Sequence, residues 1–378
     1  MGLFSSPQSY LGVDFDSNSI KVVELKNQGG RPQLVTYGYI DFELEATDRG
    51  NTKQVAKLLK QVCKKAKTST TKAITALPSY SVFSSILNLP AMSKKDLSAA
   101  VKWEAKKVVP LPIEEMILDW KVLDNFNGNQ LVDQKKDNKE KNDFGNHDSD
   151  AKGEKVLKIK QEGKKQYIKV LLTAAPKDLV KKYINIFKDA NLNLLSLDTE
   201  SFALIRSLVG NDKSATMVVD IGSVVTNITV VVNTIPILKR SLDVGGLTIT
   251  KAIANSLNVN LARAEQFKYD IGMNPSRAGQ GGVPKTIEKT LTPILDELRY
   301  SINLYKSQDD RSIEKMILTG GSSLLLNLPE YLSNLLGLRV FLGDPWARII
   351  YPEELKPVLD EVGSRFAVSL GLAMRDIE

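Results

Sequence analysis

Two stretches of this chain, about half its length apart, follow one plan. Residues 10–25 read YLGVDFDSNSIKVVEL and residues 216–231 read TMVVDIGSVVTNITVV. Each is an apolar run reaching an aspartate, then a turn of small polar residues, then a run rich in β-branched side chains. That is the pattern of a strand–turn–strand hairpin. The two aspartates, Asp14 and Asp220, stand 206 positions apart (220 minus 14) in a chain of 378 residues. Solenoid repeats recur every ~20–50 residues, so an interval of this size points instead to two duplicated lobes. The length accommodates two lobes of roughly 100–200 residues each. With 42% hydrophobic and 25% charged residues, the composition supports a sizeable core.

Composition removes several classes of function. Cys63 is the only cysteine and His147 the only histidine. An internal disulfide is therefore impossible, and zinc sites and Cys–His or Ser–His catalysis are effectively excluded. Cys63 closes the helical spacing of Val55–Cys63 and reads as a buried structural thiol. The net charge of +7 is spread along the chain, without an arginine-rich tail or aromatics interleaved among lysines. Such a surface suits an anionic membrane face or an acidic partner, and gives no sign of nucleic-acid binding. No apolar window reaches the ~18 residues of a spanning helix, and the N-terminus lacks the layout of a signal peptide. Met1-Gly2-Leu3-Phe4-Ser5-Ser6 fits the myristoylation pattern in form only, and a match so short reads as chance.

Between the repeats the pattern predicts an α+β insertion. Val82–Leu89, Ile117–Leu123 and Tyr167–Ala174 read as strands. Ser93-Lys94-Lys95-Asp96 resembles a capping box with Asp in place of Glu, opening a helix whose inner face carries Leu97, Val101 and Val108. Leu179, Tyr183 and Phe187 mark another helix. Residues 133–165 hold ten lysines and eight acidic residues, and read as a solvated, disordered excursion. After the second repeat come Val244-Gly245-Gly246 and a helix with Ile249, Ile253 and Leu257 on one stripe. A long helix follows near Thr286–Tyr305, with Ile294, Leu298, Ile302 and Tyr305 inward. A short strand, Met316–Thr319, runs into Gly320-Gly321-Ser322-Ser323, and Phe366–Met374 is rich in the small residues that permit close helix packing.

Strand-Asp-turn-strand twice, with a late strand-Thr-Gly-Gly, resembles the signature of the actin and heat-shock chaperone ATPase superfamily. The residue types suit the chemistry. A hairpin turn offers successive backbone N–H groups to a phosphate. A strand-end Asp faces Mg²⁺ through water, which that ion gives up reluctantly. Glycines lie where a side chain would clash with adenosine. The resemblance implies a duplicated actin-like ATPase (ribonuclease H-like) α/β fold that binds ATP and Mg²⁺. It maps the first phosphate hairpin onto Asp14, Asp16, Ser17 and Asn18, with Lys21 where relatives can carry a phosphate-contacting lysine. The second falls on Asp220, Gly222, Ser223 and Thr226. Gly246, Glu265, Lys268, Gly320, Gly321 and Ser322 would surround adenosine, and Asp14 and Asp220 would hold Mg²⁺ through water.

One residue departs from that pattern. Asp16 stands where relatives usually have Gly, as the second hairpin has with Gly222. Two like unit charges ~4 Å apart cost on the order of 4 kcal/mol at an effective dielectric near 20. A carboxylate there weakens nucleotide binding, makes it depend on bridging Mg²⁺, or abolishes it. Gly279–Thr286 resembles a P-loop, but Pro284 stands at the required second Gly and no strand runs into it, so it reads as a flexible loop. Glu114-Glu115 lack a second carboxylate pair and read as surface residues.

Within the superfamily the chain resembles the type IV pilus assembly family of PilM over nearly its whole length. Tyr10–Asp14, Ser19–Leu25, Leu89–Met92, Trp103–Ala105, Pro110–Glu115, Asp198–Leu204, Asp344–Trp346 and Ala367–Arg375 carry the likeness. It implies four subdomains. Subdomain 1A comprises 1–80, 193–215 and 350–378; 1C is inserted at 81–192, as in the division protein FtsA. Subdomain 2A comprises 216–245 and 312–349, and 2B comprises 246–311. It also implies a cytoplasmic adaptor holding the N-terminal peptide of a PilN-like inner-membrane protein in a groove between 1A and 1C, with other pilus assembly proteins as partners and self-association possible. The chain stops after the terminal motif without the amphipathic helix of FtsA-like proteins, which favours membrane attachment through a partner. Nucleotide would be bound with little or no turnover; Glu200 or Asp198 would position water if it is cleaved. A filament-forming cytoskeletal ATPase is the alternative, and a small-molecule kinase lacks an identifiable catalytic carboxylate and sugar pocket.

Overall fold

The computed structural model describes residues 8–42, 51–123, 167–274, 276, 283–309 and 311–377. The charged stretch 133–165, His147 and the N-terminal hexapeptide lie outside the described residues, as does the glycine-rich run 277–282. The chain divides into two compact units, Phe83–Lys177 and the remainder.

The larger unit starts with β1 (Ser9–Phe15), β2 (Ser19–Gln28) and β3 (Arg31–Asp41), an antiparallel meander, followed by α1 (Thr52–Ala66) and β4 (Lys72–Leu77), which lies parallel to β1. The smaller unit holds β5 (Phe83–Pro90), α2 (Lys94–Val108), β6 (Met116–Val122) and β7 (Tyr167–Pro176) as a three-stranded antiparallel sheet ordered β5-β7-β6. Its core joins Leu87, Leu89, Val170 and Leu172 of the sheet to Leu97, Val101 and Ala105 of α2. Ala105 completes the buried stripe expected to end at Val108, which is exposed. The helix stops there, and Val109, already extended, turns inward instead. Ser93 caps α2 by accepting the Asp96 N–H at 3.3 Å. The return half of the box is a side-chain bond, Ser93 Oγ to Asp96 Oδ2 at 2.7 Å, consistent with Asp being one methylene shorter than the usual Glu.

Back in the larger unit, α3 (Lys177–Asp189) sets Tyr183 and Phe187 edge-on to Phe15, with ring centroids 5.5 and 5.9 Å away. β8 (Asn193–Thr199) then pairs parallel to β4, giving the order β3-β2-β1-β4-β8. After α4 (Glu200–Leu204) and a π-helical turn, the same plan repeats with β9 (Thr216–Ile221), β10 (Thr226–Val232) and β11 (Ile235–Leu242). Three helices intervene: α5 (Gly246–Leu257), α6 (Leu261–Ile271) and α7 (Val283–Asp309). Then β12 (Lys315–Thr319), α8 (Leu328–Leu336) and β13 (Arg339–Leu342) complete a sheet ordered β11-β10-β9-β12-β13. The two sheets match strand for strand and direction for direction. The irregularity in register also recurs, at Glu24/Leu25 and at Val230/Val231, the same 206-residue interval (230 minus 24) that separates the aspartates.

α9 (Lys356–Met374) is packed into the core that both sheets share. Twelve of its residues are buried, so it reads as small and apolar on nearly every side rather than along one stripe. Contact is backbone to backbone. A Cβ on Gly12 of β1 would run into the Ser369 carbonyl and sit 2.7 Å from the Ala373 nitrogen, and one on Gly371 would strike the Ala203 carbonyl of α4. Trp346 and Phe366 close the same core with Tyr37, and Trp346 Nε1 donates to the Leu359 carbonyl at 3.0 Å. Gly12→Ala is expected to cost ~3 kcal/mol or more, because the obstacle is helix backbone that cannot rotate away. Urea unfolding followed by circular dichroism measures it.

Candidate functional site

A cleft of about 810 Å³ lies within the larger unit, lined by both hairpin turns and by residues of α4, α5, α6, β12 and α9. Its floor comes from the repeat. Each hairpin turn is closed by one equivalent bond, Asp16 N–H to the Ser19 carbonyl and Gly222 N–H to the Val225 carbonyl, both 3.0 Å. The turns face each other: a Cβ on Gly222 would lie 3.8 Å from Asp16 Oδ1. Asp14 and Asp220, ending equivalent strands, enter this one cleft together.

Charge on the floor is lopsided. Lys21, 4% exposed, bridges Asp14 Oδ2 and Asp16 Oδ2 at 3.2 Å each. Burial works to lower its pKa, but the two carboxylates outweigh that and hold it above the usual lysine value. For Asp16 burial works upward, yet Lys21 and the Ser17 N–H, 2.5 Å from Oδ1, bring it below the usual carboxylate value. Burial dominates elsewhere. It raises Asp14, helped by repulsion from Asp16 and opposed by Lys21. It raises Asp220 well above normal, reinforced by Glu200, Asp16 and Asp14. Glu200, the first residue of α4, is pushed up to about 7 by burial and then by the Asp14 charge. Its Oε2 accepts the Ser79 N–H at 2.9 Å and Asn227 Nδ2 at 3.3 Å.

The other end of the cleft is neutral and closely fitted. α5 starts on the second hairpin, with Gly246 N–H donating to the Gly222 carbonyl (2.9 Å) and Leu247 N–H to that of Ser223 (2.8 Å). A Cβ on Gly246 would strike Ser322 Oγ and lie 3.3 Å from Lys268 Nζ. Lys268, 2% exposed, spans both Glu265 oxygens at 2.7 Å, Thr250 Oγ1 at 3.0 Å and the Gly246 carbonyl at 3.3 Å. Burial lowers its pKa while Glu265 resists. Gly320 sits at φ 84°, a conformation side chains avoid, and a Cβ there would collide with Asp220. α9 fixes that turn, since the Ser364 carbonyl accepts Gly320 N–H at 3.0 Å and Thr319 Oγ1 at 3.1 Å.

The structure brings Asp14, Asp16, Ser17, Asn18, Lys21, Glu200, Asp220, Gly222, Ser223, Gly246, Glu265, Lys268, Gly320, Gly321 and Ser322 to one cleft. Two expectations fail. Thr226 is fully buried behind the second turn, its hydroxyl spent on the Val244 carbonyl at 2.7 Å. Asp198 does not line the cleft; Arg206 binds it and Arg375 lies 3.9 Å away, so it is a structural anchor rather than a water-positioning group.

Sequence reasoning missed Tyr39, Asp41, Asn227, Thr250, Tyr269 and Arg365. Arg365 donates to Asp41 Oδ1 at 2.6 Å and stands 4.6 Å over the Tyr39 ring. A single arginine preceding the small-residue run of α9 was the available signal. Tyr269 directly follows Lys268, and its hydroxyl donates to the Gly321 carbonyl at 3.3 Å.

The residues fit a nucleotide unevenly. Gly246, Gly320 and Ser322 leave a cradle that any larger side chain would fill, with Glu265 held toward it by Lys268 and Thr250. The acidic floor suits a cation held jointly with phosphate. Among the described residues no three carboxylate, His or Cys side chains are grouped closely enough to hold a metal by themselves. Asp16 is the misfit, because it already takes a turn N–H and a lysine that a phosphate would use.

Twin sheets of one topology, with an aspartate from each at a shared cleft, define an actin-like fold. A family model described as type IV pilus assembly protein PilM matches residues 12–135 and 155–377. The chain belongs to that family. A solved structure titled "PilM-PilN type IV pilus biogenesis complex" is similar at 25% identity, covering 98% of each chain with a TM-score of 0.76. Ethanolamine utilization protein EutJ from Carboxydothermus hydrogenoformans shares the fold at 14% identity, 98% and 91% coverage, and TM-score 0.51. So does MreB5 of Spiroplasma citri bound to ADP, at 10% identity, 96% and 94% coverage, and TM-score 0.51.

The Glu200 environment carries a pH signature. Its folded pKa of about 7 lies above the unfolded value of 4.5, so the folded state binds the proton more tightly. Glu200 therefore opposes folding increasingly as pH rises from about 4.5 through 7. Glu200→Gln, which keeps an acceptor for Ser79 and Asn227, is expected to stabilise the protein by about 1–3 kcal/mol more at pH 8 than at pH 5. Thermal unfolding at the two pH values reads this out.

Proposed function

We propose that this protein is a nucleotide-binding adaptor of type IV pilus assembly that captures the cytoplasmic N-terminal peptide of a PilN-like inner-membrane protein. It works on the cytoplasmic face of that membrane and links the peptide's owner to the rest of the assembly machinery. The observation that carries the reading is likeness along the whole chain, in family model and in fold, to a protein solved together with PilN. No helix among the described residues is long and apolar enough to cross a membrane, which is compatible with attachment through a partner. Subdomain boundaries follow the repeat: β1–β4 and β8 with α9 in the first lobe, β9–β13 in the second, α5–α7 added to the second, and the β5–β7 unit inserted into the first.

ATP or ADP with Mg²⁺ is the proposed ligand of the cleft. Gly246, Gly320 and Ser322 with Glu265 and Lys268 would receive adenosine, and Ser223 and the second turn would meet the phosphates. Asp14 and Asp220 would orient water on the metal, which supplies positive charge to the phosphates when bound. Glu200 would hold a water near the last phosphate. Its raised pKa suits a general base, but the Ser79 N–H and Asn227 Nδ2 already donate to its Oε2, in keeping with little turnover.

Isothermal titration with a synthetic peptide copying the cytoplasmic N-terminus of the PilN-like protein is expected to show saturable one-to-one binding. A scrambled peptide should give none. Absence of heat with the authentic peptide, in protein that unfolds cooperatively, would remove the adaptor reading. Sedimentation with and without Mg-ATP separates it from a filament former, for which sustained nucleotide-dependent pelleting is the expected result.

A further inference from the structure

Positions 16 and 222 are equivalent in the repeat and make the same turn bond, yet only the first carries a side chain. Asp16 Oδ1 accepts the Ser17 N–H at 2.5 Å and Oδ2 meets Lys21 Nζ at 3.2 Å. A turn amide and an ammonium are the two groups that a phosphate on this hairpin would recruit. The chain has supplied its own anion to its own anion site.

Which phosphate this concerns follows from the layout of the cleft. The glycine-lined cradle abuts the second hairpin, because Gly246 N–H is bonded to the Gly222 carbonyl. A phosphate chain leaving that cradle therefore reaches the second turn first. Asp16 Oδ1, 3.8 Å from the Gly222 Cβ position, stands in the gap between the two turns, where a last phosphate reaching both turns would have to lie. Asp14, Glu200 and Asp220 share this floor, so displacing Asp16 from Lys21 would leave an added carboxylate beside three others.

We propose that Asp16 is a tethered competitor for the terminal phosphate, making this site select nucleoside diphosphate over triphosphate. The inference rests on the nucleotide-binding reading and adds a selectivity that the second hairpin, with its glycine, does not carry. Lys21 is its positioning partner, held between Asp14 and Asp16 until a phosphate replaces one of them.

The test is isothermal titration of the full chain with ADP and with ATP, each in excess Mg²⁺, for wild type, Asp16→Asn and Asp16→Gly. Asn keeps the size of the side chain, and Gly reproduces the second hairpin. Wild type is expected to bind ADP more tightly than ATP. Both variants should tighten ATP by about tenfold or more, ~1.4 kcal/mol, while ADP changes by less than about threefold, ~0.65 kcal/mol. Binding of ATP by the variants alone supports the same conclusion. An unchanged ratio of ATP to ADP affinity overturns the proposal and leaves nucleotide binding intact. Weaker ATP binding in Asp16→Asn also overturns it, placing Asp16 among the groups that hold the cation. Failure of wild type and both variants to bind either nucleotide at millimolar concentration, with cooperative unfolding preserved, removes the nucleotide reading and this inference with it.

Discussion

The structure hangs on the approach of α9 to β1 and α4 without side chains between them. Gly12 lets the strand lie against the Ser369 carbonyl, and Gly371 lets the helix lie against the Ala203 carbonyl. Because α9 belongs to the core that includes residues of both sheets, this tight seat fixes one half against the other. It also reaches the chemistry. The Ser364 carbonyl of the same helix holds Gly320 and Thr319, and Arg365 one residue later enters the cleft. A shift of α9 would move the floor, the cradle wall and the arginine together.

Within that frame the cleft is a problem in charge. Four carboxylates share the floor with Lys21, and burial removes the water that would otherwise separate them. The protein offsets part of this by placing Lys21 between two of them and by letting Asp220, Asp14 and Glu200 retain protons more readily. The cation of a metal–nucleotide complex would bring positive charge to that floor. The opposite wall is already satisfied, since Lys268 is neutralised by Glu265 and donates to Thr250 Oγ1. Binding and folding thus draw on the same buried charges.

Much of this was legible in the chain itself. Strand–Asp–turn–strand at residues 10–25 and 216–231 located both hairpins and both floor aspartates, because a hairpin is a local object whose turn chemistry is written in consecutive residues. The contrast of Asp16 with Gly222 was legible for the same reason. Thr226 and Asp198 were misread because spacing cannot tell which way a side chain faces once tertiary partners compete for it. Val244 claims the one, and Arg206 and Arg375 surround the other. Arg365, Tyr39 and Asp41 were missed because they come from α9 and β3, far apart in sequence, and meet only when the helix docks.

Local pattern by itself determined the duplication, the leading hairpin of each sheet, the donor-rich turns and the misplaced carboxylate, since each depends on neighbours within a few residues. Tertiary structure alone decided that Lys21 would face Asp14 and Asp16 rather than an empty site, and that Glu200 would be desolvated to near-neutral pKa. It also decided that the two hairpins would stand tip to tip. Those outcomes depend on distances between segments some two hundred residues apart, and packing of α9 into the shared core sets them.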